Sequence, residues 1–66
     1  MIFREHGLTE REIEVAGLIV REGLGNEEIG KKIFRSTVTV KAHVTSIYQK
    51  LGVKGRSEFM VMFMRK

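Results

Sequence analysis

Between Ser36 and Gly52 the apolar residues Val40, Val44, Ile47 and Leu51 recur at spacings of four, three and four. Those intervals gather all four on one side of an α-helix. Val38, Thr39 and Val40 are β-branched and would suit a strand, but the stripe stays in helical register for three turns. The segment therefore reads as a helix with one buried side. Ser36 or Thr37 caps its start, Gly52 closes it, and Lys50 sits in the last turn, where the dipole favours a cation. Fixing the buried side fixes the open one. Val38, Lys41, Ala42 and Thr45 share the opposite face near the N-terminal end.

The rest of the chain reads as helix too, punctuated by glycine. Thr9 and Glu12 form the pattern T-x-x-E, a capping box, and Leu8 before the cap can staple onto Ile13. Glu10, Glu12 and Glu14 suit the positive end of that helix, Val15, Ala16, Leu18, Ile19 and Val20 supply its apolar side, and Gly23 stops it. Asn26 is the N-cap candidate for a short second helix to about Phe34, with Ile29 and Ile33 on one side and Gly30 between them, where a small residue admits a close neighbour. A last helix from about Arg56 to Arg65 carries Phe59, Met60, Val61, Met62, Phe63 and Met64 nearly all round. It is either buried on two sides or meets another chain.

These elements make an all-α, four-helix domain over residues 1–66, with 1–7 as an N-terminal extension and 8–66 as the core. With 66 residues and no cysteine, the chain buries about 60% of its unfolded surface and has no disulfide to help, so a compact core or a second chain must hold it. No apolar run of about 20 residues exists, and the start lacks a signal peptide's long apolar stretch. The expectation is a cytoplasmic protein that makes no membrane contact.

The formal net charge is +4, but its distribution says more. Residues 1–30 hold three arginines against seven glutamates, a net −4, while residues 31–66 hold nine cations against Glu58 alone, a net +8. One basic half suggests a polyanion. The outward face of the third helix has groups that suit base edges in a major groove. Lys41 can donate to guanine, Thr45 can bond a base or touch a thymine methyl, and Ala42 and Val38 can pack on thymine methyls. Around it lie phosphate-type groups: the hydroxyls of Ser36, Thr37 and Thr39 at a helix start, the cations Lys31, Lys32 and Arg35 before it, and Lys50, Lys54 and Arg56 after it. A short helix, a brief turn and a longer helix match a helix-turn-helix, with the third helix as the recognition helix.

The segments LTEREIEV, NEEIGKKI and STVTVKAHVTSIYQKLGVKGRSE resemble the LuxR-type, also called GerE- or NarL-type, DNA-binding domain from about Leu8 to the end. The resemblance implies four helices, cytoplasmic transcriptional regulation in bacteria, and binding to double-stranded DNA as a homodimer through the last helix. By motif position Lys41, Ala42 and Thr45 fall on base-edge contacts, and Ser36, Thr39 and Val40 fall near backbone contacts. Phe59, Met60, Phe63 and Met64 are then the expected dimer contacts. Three positions depart from the pattern. Arg35 stands where an aliphatic residue is usual, Gly30 replaces the usual alanine, and Val20–Gly23 is one residue longer.

The alternatives are a promoter-recognition unit of the sigma type, which would make RNA polymerase a partner, and a protein-interaction module that uses the apolar last helix. Neither catalysis nor a metal, cofactor or small-molecule ligand is expected. His6 and His43 have no carboxylate or cysteine at ligand spacing, and no nucleophile, base and orienting group form a set.

Overall fold

Local capping decides where each helix begins. In the computed structural model, which describes residues 5–64 and the side chains through Met62, the Glu12 amide donates to the Thr9 hydroxyl (3.2 Å) and the Thr9 amide donates to the Glu12 carboxylate (2.9 Å). This completed capping box starts α1, Glu10–Glu22. Gly23 ends it at φ 66°, and the amides of Gly23 and Leu24 close back on the carbonyls of Ile19 and Leu18.

The second helix, α2, is Asn26–Ile33. Its cap is Gly25 rather than Asn26, which is the first helical residue. Glu28 takes over the capping work, its carboxylate accepting from the Gly25 amide at 2.9 Å. Phe34 lies beyond the helix as its left-handed cap, φ 59°, so the element is one residue shorter than the sequence suggests.

Ser36, not Thr37, caps α3, Thr37–Leu51, by accepting from the Thr39 amide at 3.2 Å. At the other end Gly52 takes φ 73°, with Gly52 and Val53 donating to Gln49 and Tyr48. Those two bonds define a Schellman closure. The last helix, α4, is Arg56–Met64, and the expected final residue Arg65 lies outside the described residues.

These four helices build the packed domain, and among the described residues no strand occurs. The fold class is the all-α helix-turn-helix domain expected. Packing follows the stripes. Val15, Ile19, Ile29, Val40, Ile47 and Phe59 are fully buried, drawn from all four helices. Leu8 is buried and Ile13 half-buried against the same core, as a hydrophobic staple requires. α3 lies across both α1 and α2, and α4 closes against α3.

Gly30 explains the tightness of the turn. A Cβ there would lie 2.6 Å from the Arg35 carbonyl oxygen. The turn between α2 and α3 therefore sits closer than an alanine at this position allows.

Candidate nucleic-acid interface

Burial of Val40, Val44, Ile47 and Leu51 sets the rotation of α3 about its axis. With that side inward, Val38, Lys41, Ala42 and Thr45 are all exposed. Val38 is 78% exposed, which is unusual for a large apolar residue with nothing covering it. The structure thus brings together on one open face the four side chains expected to meet base edges.

The flanking groups divide. Lys31, Thr37 and Lys54 are exposed. Ser36 is exposed and donates its hydroxyl hydrogen to the half-buried Thr39 hydroxyl at 3.0 Å. Lys32 pairs with Glu22 at 3.0 Å, tying the end of α1 to α2. Arg35 is exposed and its guanidinium folds back to donate to the Phe34 carbonyl at 3.0 Å. Arg56 donates to the Leu24 carbonyl at 3.0 Å, pinning the start of α4 to the turn before α2. Those two guanidinium groups are partly occupied, although each keeps further donors.

Val40 requires a correction. Its side chain is fully buried and its amide donates to the Ser36 carbonyl at 3.0 Å. It holds the helix down and offers nothing to a phosphate. Phe59 requires another. It is fully buried and its ring stands 5.4 Å from that of Tyr48, so it belongs to the core and not to a dimer contact. The same burial pushes the Tyr48 phenol above its ordinary pKa, against the pull of the Arg56 charge. Met60 is half-buried against the core, and the side chains of Phe63 and Met64 lie outside the described residues. The exposed apolar group of α4 is instead Val61, which with Val53, Ser57, Glu58 and Met62 lines an open depression beside the helix.

Lys50 also differs from a phosphate-type cation. Its ammonium donates to Glu12 at 2.7 Å. Burial alone would push the Glu12 carboxyl up. Hydrogen bonds from Lys50, Ser46 and the Thr9 amide, with the Lys50 charge, outweigh it and hold the group at about 2. A single carboxylate thus caps α1 and grips the far half of α3. The partners are 38 residues apart, so no local spacing announces them. The hint in the sequence is that Glu12 follows a cap and precedes a buried stripe, which turns its side chain toward the interior.

Among the described residues no group of three His, Asp or Glu side chains is placed to hold a metal ion, and no helix is long and apolar enough to cross a membrane.

Comparison with known proteins agrees with this geometry. The family described as bacterial regulatory proteins, luxR family, matches residues 6–63. The oxygen regulatory protein NreC of Staphylococcus aureus strains JH9, JH1 and Mu3 is 44% identical over 59 residues, covering 89% of this chain. The chain spans 27% of the length of these relatives. No solved structure matches it. With nearly its whole length matched and the four-helix architecture in place, the chain belongs to the LuxR family of bacterial regulators, whose helix-turn-helix domain binds DNA to regulate transcription.

Proposed function

We propose that this domain reads specific sequences in double-stranded DNA by placing the N-terminal half of α3 in the major groove, and that it does so in the cytoplasm as a homodimer. One observation carries the reading. The side of α3 opposite its buried stripe is open, and it presents a cation, a hydroxyl and two small apolar groups in Lys41, Thr45, Ala42 and Val38. That mixture suits base edges better than phosphates, which a uniformly basic face would serve. Ser36, Thr37 and Thr39 at the helix start, with Lys31, Arg35, Lys54 and Arg56 around it, are the groups proposed to fix the register on the backbone.

The test separates the two kinds of contact. Lys41→Ala is expected to lower affinity for the preferred site by about 1–3 kcal/mol and to relax the preference at one base pair. Lys54→Ala is expected to weaken all duplexes alike and to reduce the slope of log K against log salt by about 0.9. If both substitutions scale affinity equally on every sequence, α3 is not the reading element.

For the dimer, the supporting observation is Val61, 47% exposed in the apolar depression it shares with Val53 and Met62. Sedimentation of the free domain against concentration, and of its complex with a palindromic duplex, measures the stoichiometry. One domain per palindrome at saturation would exclude the homodimer.

A further inference from the structure

The open stripe of α3 does not stop at Thr45. Gln49 follows it by four residues and follows Ala42 by seven, so it continues the same side of the helix. It is exposed, and its amide has no hydrogen-bond partner among the described residues. The helix is still regular there, because it runs to Leu51 before Gly52 closes it. We propose that Gln49 is a fifth reading side chain of α3, recognising an adenine at the outer edge of the half-site.

Three physical arguments support the assignment, which rests on the reading of α3 as the groove-entering helix. The first is reach. Eight residues separate Lys41 from Gln49, a rise of about 12 Å at about 1.5 Å per residue. Base pairs repeat at about 3.4 Å along the duplex axis, so side chains that far apart on a helix meet different base pairs. A straight helix leaves a curving groove toward its far end, and a contact there needs a longer side chain than Ala42 or Thr45 supplies.

The second is chemistry. A primary amide carries a donor and an acceptor that match N7 and N6 of adenine in a bidentate pair. The third is electrostatic. Gln49 lies in the last turn of α3, where the exposed carbonyl ends repel a phosphate and a neutral side chain gives no compensation. The adjacent cation that could hold a phosphate, Lys50, is drawn toward Glu12 on α1. The C-terminal end of the stripe is thus poorly suited to the backbone and suited to a base.

Selection of bound sites from random duplexes by the unaltered chain, Gln49→Ala and Lys41→Ala tests this. The expected result is an adenine preference at a base pair distinct from the one that Lys41→Ala relaxes. Gln49→Ala should abolish that preference alone, with a loss on the order of ten- to hundredfold on the adenine-containing site. If Lys41→Ala relaxes its position while Gln49→Ala relaxes none, or weakens every sequence alike, the assignment of Gln49 fails and the reading of α3 stands. If neither changes the selected sequence, both fail.

Discussion

The ammonium of Lys50 lies 2.7 Å from the carboxylate of Glu12, joining the last turn of α3 to the cap of α1. Glu12 is 5% exposed, so its charge exists in the folded state because these partners hold it. The Thr9 amide holds Glu12 at the start of α1, and through Glu12 the Lys50 ammonium fixes the C-terminal end of α3, while Val38, Lys41, Ala42 and Thr45 project nearer the other end.

Acid should therefore loosen the domain. The Glu12 carboxyl is held at about 2, below its ordinary 4.5. A depressed carboxylate contributes stability that is present above its unfolded pKa and fades as pH falls through the folded one. The window runs from about 4.5 down to about 2. After allowing for solvent around the half-exposed Lys50, the contribution is about 2 kcal/mol. Urea unfolding between pH 7 and pH 2.5 measures it, with Glu12→Gln expected to be less stable at neutral pH and flatter toward acid. An equally steep acid loss in that variant would exclude Glu12 as the source.

Phe34→Gly should stabilise the fold. Phe34 holds φ 59° and is 87% exposed, so the aromatic ring carries a left-handed backbone while burying little. Glycine adopts that conformation without a Cβ penalty of about 1–2 kcal/mol, partly offset by the greater freedom of its unfolded chain. A net gain of about 0.5 kcal/mol in thermal or urea unfolding is expected. A loss would mean that the ring makes stabilising contacts in solution.

Gly30→Leu should be among the most damaging substitutions on α2. Its Cβ would meet the Arg35 carbonyl at 2.6 Å, with the Val40 side chain 3.6 Å away. Leucine gains helix propensity of about 1 kcal/mol over glycine. Against that, backbone must move in the turn that positions Ser36, and overpacking of this kind costs about 1–3 kcal/mol or more. The expected outcome is a lower denaturation midpoint together with weaker DNA binding. Unchanged stability would show that the turn can open freely.

The local signals in the chain were sufficient where the physics is local. The capping box at Thr9, the stop at Gly23 and the stripe from Val40 to Leu51 each depend on residues within about three turns and appear as read, and Ser36 is the one of the two candidate caps that the structure takes. The open face of α3 followed from that stripe. One miss was local and the others came where distant parts decide. Gly25 displaced Asn26 as a cap because Glu28 could reach its amide. Lys50 reads from the sequence as a phosphate-type cation, and only α1 supplies its partner Glu12. In α4 an almost uniform apolar sequence gives no face to choose, and contact with Tyr48 selects Phe59 for the interior.

That selection separates two roles within one helix, and substitutions should separate them too. Phe59 is fully buried, so Phe59→Ala removes a large ring from a domain with little core to spare and should cost about 3–5 kcal/mol. Phe59→Leu keeps most of the volume and should cost about 1 kcal/mol, leaving a folded chain for comparison. Val61 is 47% exposed, so Val61→Ser should change monomer stability by less than about 0.5 kcal/mol. Its effect should fall instead on self-association, read as a weaker sedimentation shift with concentration. Phe59→Leu should leave that shift intact once its lower stability is matched by temperature. If Val61→Ser unfolds the chain while leaving association untouched, the inner and outer sides of α4 are the reverse of those described.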